Sequence, residues 1–196
     1  MNYLAHAYLS FGHPGILTGN MISDFVKGKK KFDYPEEVIL GIDLHRSIDS
    51  FTDKHEATHR AKSVFRPAYR LYSGAFVDVV YDHFLALDEN EFTEESLFEF
   101  ARQTYEELER QAGWMPERFA RMFPFMKQQN WLFNYRTGWG TQKSLIGVVK
   151  RAAYIDDYKT ACKIFEEHYQ LLEECYRQFW VDMKPFARKQ FDDFRL

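Results

Sequence analysis

Apolar residues recur at helical spacing along most of this chain, while the alternation and Asn-Gly turns of strands and hairpins are nearly absent. That pattern excludes sheet architectures and points to an all-α helical bundle. The 196 residues suffice for one sizeable core, and no repeat or low-complexity linker divides them, so 1–196 is read as a single domain. Punctuation predicts helices at about 16–26, 35–54, 67–87, 93–113, 115–130 with a break at Pro124, 142–154 and 156–183. Pro35 followed by Glu36 and Glu37 suits a first helical turn, because proline has no N–H to lose there and acids favour the positive dipole end. Residues 28–33 and 131–141 read as loops.

Charge narrows the partners. The chain has 26 Lys and Arg against 29 Asp and Glu, a formal net charge of -3, which argues against a nucleic-acid binder that works through surplus basic residues. The stretch from Met1 to Ser23 carries no Asp, Glu, Lys or Arg, yet it lacks a basic leader region. His6, Gly12, His13, Pro14, Gly15 and Asn20 interrupt its apolar core. It reads as protein interior rather than membrane span, and the expected location is the cytoplasm. Two cysteines, Cys162 and Cys175, are too few for a disulfide framework; on the single helix expected at 156–183 they would stand ~20 Å apart and could not pair. No P-loop, dinucleotide fingerprint, G-x-S-x-G or paired CxxC is present.

Chemistry concentrates in residue pairs one helical turn apart: Asn20 with Asp24, His45 with Asp49 and then Asp53, and Asp78 with Asp82. Side chains at i and i+4 project from one helix face and can reach a shared ion, and His beside carboxylate is the ligand mix of Zn, Mn and Fe sites. Asp78 and Asp82 sit on a segment that is apolar nearly all round, where two carboxylates need a cation; the alternative is a buried ion pair or a hydrogen-bonded cap. His45 and Asp49 lie at the edge of their helix's apolar stripe, facing either a cleft or solvent as an ordinary surface pair. His6 in the uncharged stretch is either a ligand or a satisfied core histidine. His83, one position after Asp82, points about 100° away and could ligate or hold a neighbouring carboxylate. Lys27, Lys29, Lys30 and Lys31 form a basic run just after Asp24, either a solvated loop or a dock for an anionic partner.

Four blocks carry a family resemblance: Met1-Asn2-Tyr3-Leu4-Ala5-His6, then 19–28 (Gly-Asn-Met-Ile-Ser-Asp-Phe-Val-Lys-Gly), then 41–53 around His45-Arg46-Ser47-Ile48-Asp49, then 78–86 around Asp82-His83. In this order they closely resemble the acyl carrier protein phosphodiesterase family; beyond Leu87 the likeness is chiefly Asn130-Trp131-Leu132 and overall length. The resemblance implies an all-helical fold of divergent HD-domain type. It also implies hydrolysis of the phosphodiester joining 4′-phosphopantetheine to a serine of acyl carrier protein, with Mn²⁺ as the usual metal. On this chain it implies His6, Asp24, His45, Asp78 and Asp82 as ligands of one or two divalent cations, with His83 close by. Asp49 would position water, Arg46 would stabilise phosphate charge, and Lys27 to Lys31 would orient the acidic carrier. The chain contains no His-Asp dipeptide, and Asp82-His83 is the reverse order. A phosphohydrolase acting on nucleotides or other small phosphodiesters would use the same site, and a non-enzymatic helical binding module would use the clusters as ion-pair networks. Neither metal identity nor oligomeric state is fixed by sequence.

Overall fold

A computed structural model describes residues 2–194, and every regular element among them is helical. The chain opens with two short helices, α1 (Tyr3–Tyr8) and α2 (Pro14–Ile22), joined by a turn at Phe11 and Gly12, both at positive φ. The uncharged opening stretch is interior as expected: Leu4, Ala5, His6 and Ala7 of α1 and all of α2 from Gly15 to Ile22 are buried. A short 3₁₀ turn, Ser23–Phe25, and a second at Gly28–Asp33 lead into α3 (Glu36–Lys54).

α2 and α3 pack face to face through glycines. A Cβ on Gly19 would come within 2.0 Å of the Val38 carbonyl oxygen, and one on Gly41 within 2.3 Å of that of Ile16. Any larger residue would push the two backbones apart, and with them the side chains that face each other one turn further on.

Beyond α3 the chain forms α4 (Glu56–Tyr69), α5 (Ser73–Leu87), α6 (Glu94–Arg110), α7 (Glu117–Gln128), α8 (Trp131–Asn134), α9 (Gly138–Arg151), α10 (Tyr158–Glu167) and α11 (Tyr169–Asp192). α5 is the central rod: Phe76, Val77, Val79, Val80, Tyr81, Phe84 and Leu85 are all buried, and it touches α1, α4, α9 and α11. That matches its apolar character on nearly every face.

Several boundaries differ from the sequence reading. The helix expected at 67–87 is two helices, because Arg70 adopts a left-handed φ of 47° and turns the chain between α4 and α5; Pro67 lies inside α4. The turn lets Tyr69 and Phe76 pack in one core, with ring centroids 4.3 Å apart and planes inclined by 43°. Pro124 does not break α7. The supposed loop at 131–141 holds α8 and the start of α9. Thr137 caps α9 by accepting the Gly140 N–H, and glycine is required at 140 because a Cβ would lie 2.0 Å from the Asn134 carbonyl oxygen. The long helix expected at 156–183 breaks at His168, so Cys162 and Cys175 occupy different helices; both are buried free thiols.

Candidate metal centre

Three elements at the α2–α3 contact bring four side chains to one place: His6 from α1, Asp24 from the 3₁₀ turn after α2, and His45 with Asp49 from α3. The two imidazoles stack, with centroids 3.8 Å apart and planes inclined by 13°. His6 Nε2 lies 3.3 Å from one Asp49 oxygen, and His45 Nε2 lies 3.2 Å from the other. Asp24 Oδ1 is 3.3 Å from the same His45 nitrogen. One ligand atom from each of His6, His45 and Asp49 falls within 4.8 Å of the others.

Asn20 sets the orientation of both rings. Its Oδ1 accepts from His6 Nδ1 at 2.7 Å, and its backbone carbonyl accepts from His45 Nδ1 at 2.7 Å. The Asn20 amide nitrogen is in turn fixed by donating to the His6 carbonyl and to Ser10 Oγ. A carbonyl oxygen can only accept, so each Nδ1 carries a proton, and in the neutral ring the lone pair is on Nε2. Both Nε2 atoms are buried and make no well-formed hydrogen bond. A buried imidazole nitrogen without a partner is costly, and two aimed at the same carboxylate suit a cation between them. Ligand bonds of ~2.0–2.2 Å at 90–110° separate neighbouring ligand atoms by about 3.0–3.4 Å, which the observed spacings match.

Electrostatics agree. Burial pushes His45 down, but the adjoining Asp24 and Asp49 carboxylates together outweigh it and raise the ring to about 9. Burial and then the neighbouring His45 lower His6 to about 4. Burial raises the Asp49 carboxyl, yet nearby positive charge and hydrogen bonds from His45 and His6 hold it well below the usual carboxylate range. Asp24 is lowered chiefly by its hydrogen bond to His45. The two carboxylates thus favour a positive charge at the point where they face the rings. The histidine side chains are only 4% and 7% exposed and form the floor, while Asp49 and Asp24 at 42% and 70% form an open rim.

The second pair of carboxylates does not join this group. Asp82 is the hydrogen-bonded cap: its oxygens accept from the backbone N–H groups of Leu4 at 2.7 Å, Ala5 at 3.3 Å and Asn2 at 3.3 Å, satisfying the open first turn of α1. Its expected role as a ligand is corrected accordingly, because its oxygens face the amides of α1. Asp78 lies outside the cluster that can share an ion, although it is near enough to Asp49 for that charge to add to burial in raising its carboxyl. His83 is also removed from the chemistry: Nδ1 lies 2.7 Å from the Tyr135 carbonyl and 2.9 Å from Thr141 Oγ1, and Nε2 lies 3.0 Å from the Tyr169 hydroxyl. It ties α5 to α9 and α11. Arg46 is exposed and donates to the Val26 carbonyl at 3.2 Å, so it braces the segment that follows Asp24. In the basic run, Lys27, Lys29 and Lys30 are exposed, but Lys31 is paired with Asp43 at 2.7 Å. Asn20 is the residue whose part sequence spacing understated, since i,i+4 pairing with Asp24 gives no sign that it holds two histidines.

The family model described as acyl carrier protein phosphodiesterase matches residues 1–183. The chain is 32% identical over 191 residues to the acyl carrier protein phosphodiesterase of Enterobacter sp. strain 638, covering 97% of this chain and 99% of that protein. It is 30% identical over 191 residues to the protein of that name from Photorhabdus laumondii, covering 97% and 96%. The one from Klebsiella pneumoniae strain 342 is 31% identical, covering 97% and 99%. No solved structure matches the chain.

Proposed function

The chain belongs to the acyl carrier protein phosphodiesterase family, and on that premise we propose that it removes 4′-phosphopantetheine from acyl carrier protein with a divalent cation held by His6, His45, Asp49 and Asp24. Two buried Nε2 atoms, both 3.2–3.3 Å from the Asp49 carboxylate and neither in a well-formed hydrogen bond, are the observation that supports the metal. Mn²⁺ fits a mixed imidazole and carboxylate donor set. When bound, such a cation polarises the phosphodiester and activates water for attack. The protein's own part is positional. Asn20 presents both imidazoles in the ligating tautomer, the carboxylate rim leaves one side open to the phosphate, and Asp49 at that rim would orient the attacking water. Arg46, held against the Val26 carbonyl, is assigned to a phosphate oxygen. The acidic carrier is steered by Lys27, Lys29 and Lys30, exposed on the segment that follows Asp24.

The test is the mass of holo-acyl carrier protein after incubation with the metal-stripped protein, with and without Mn²⁺. Conversion to apo-carrier only with metal, and its loss in His6→Ala and His45→Ala, is the expected result. Metal-dependent hydrolysis of nucleotides with the carrier untouched would instead assign the site to a small phosphodiester.

A further inference from the structure

We infer that a groove along α9 receives the phosphopantetheine arm, an assignment that rests on the reaction proposed above and adds a binding site for the substrate's non-protein part. Gly140, Lys143, Ser144, Gly147 and Arg151 recur at i, i+3, i+4, i+7 and i+11, so they share one face of α9 over ~16 Å. Tyr3, Trp131 and Trp139 wall the groove, and among the described residues no carboxylate lines it.

One end of the groove is formed by the start of α1, the helix that carries His6. Tyr3 precedes His6 by three residues on α1, placing the two side chains one turn apart on neighbouring faces. Tyr3 also meets Trp131, with ring centroids 6.3 Å apart, so the helix that carries His6 forms part of the groove wall. The floor is kept low by a glycine the fold does not otherwise demand. Gly140 is fixed by the Asn134 carbonyl, but at Gly147 a Cβ would meet only the Arg151 guanidinium, at 3.2 Å. Glycine inside a helix costs about 1 kcal/mol relative to alanine, and at 147 it leaves bare backbone where a ligand can lie.

The occupant follows from shape and charge. A phosphopantetheine arm runs in single file through about thirteen atoms from phosphate to sulfur, equivalent to roughly four extended residues, or ~15 Å. Its dimethyl and methylene units suit aromatic walls, its amides suit Ser144 and exposed helix backbone, and its phosphate end suits Arg151. The thiol end then lies toward Trp139, which is 58% exposed with Lys143 over its ring at 5.6 Å.

Gly147→Leu fills the floor and Trp139→Ala removes a wall; Trp139 is exposed and Gly147 half-buried, and thermal melting confirms folding. Each variant is expected to raise KM for holo-carrier at least tenfold with Mn²⁺ binding and apo-carrier binding unchanged. Free 4′-phosphopantetheine should inhibit the unaltered protein better than inorganic phosphate does, and this preference should vanish in both variants. An active protein whose variants keep the parent KM and the parent preference overturns the groove and leaves the reaction standing. If the unaltered protein leaves holo-carrier intact, the reaction falls separately. Calorimetry with 4′-phosphopantetheine and Mn²⁺ then decides the groove: binding abolished by Gly147→Leu supports it, and no binding to the parent refutes it.

Discussion

Asn20 concentrates the logic of the site in one side chain, since it fixes the orientation of two histidines from two different helices. Its side chain holds His6 and its backbone holds His45, so Asn20→Ala removes only the first restraint. Outer partners of metal-bound histidine typically set affinity by 10–100-fold. Asn20→Ala is therefore expected to weaken Mn²⁺ binding by roughly that factor while leaving His45 in place, as read by metal titration; unchanged affinity would mean that the tautomer is set elsewhere. Helical spacing in the sequence singled out Asp24, His45 and Asp49 as ligand residue types, and the family resemblance added His6. It did not show that Asn20 joins them, because the hydrogen bonds cross from α2 to α1 and α3, and no local spacing encodes that.

The helices that carry these side chains are held by contacts outside the site. Asp82 accepts three N–H groups at the start of α1, the helix that bears His6, so it shapes the site without touching it. Asp82→Ala leaves at least two buried amides without acceptors and is expected to cost roughly 2–4 kcal/mol in denaturant unfolding, with metal affinity falling as α1 loosens. Lost metal binding at undiminished stability would return Asp82 to the ligands. Burial also raises the Asp82 carboxyl to about 7. Because the folded state then keeps a proton that the unfolded chain releases from about pH 4 upward, this group's stabilising contribution is full below that pH. It is lost as pH climbs through 7. Stability curves of the parent and of Asp82→Asn should differ by a slope confined to that window, and parallel curves would contradict the assignment. Gly19→Ala tests the α2–α3 contact: with 2.0 Å available for the new Cβ, destabilisation of several kcal/mol and loss of metal binding are expected together. In the sequence, the pair Asp78 and Asp82 carried two readings, ligand or cap, and only the position of α1 against α5 chooses between them. The breaks at Arg70 and His168 were hidden for a similar reason: neither residue is a customary helix breaker, and burial of Tyr69 and Phe76 together sets the first.

Taken whole, the molecule is acidic, with a formal charge of -3, yet it presents three exposed lysines, Lys27, Lys29 and Lys30, on the segment that follows Asp24 at the rim. An acidic protein substrate is best met by such a local patch, and its pull is screened within about 8–10 Å at physiological salt. Replacing Lys27, Lys29 and Lys30 together by Gln is expected to raise KM for the carrier several-fold at low ionic strength, with kcat unchanged and the difference fading in high salt. Lys31→Gln should do less to the carrier, because Lys31 is already bound to Asp43. Equal effects of both changes would move the dock elsewhere. The all-helical architecture was legible throughout, since periodicity reports it directly. The order in which helices meet was not, and the Trp131, Trp139 and Gly140 part of the groove lay in a segment whose glycines signalled a loop. The most direct test is anomalous diffraction from crystals soaked in Mn²⁺. A peak is expected within ~2.0–2.3 Å of His6 Nε2, His45 Nε2 and an Asp49 oxygen. Saturated crystals with no peak there, or with the ion between Asp78 and Asp82, would contradict it.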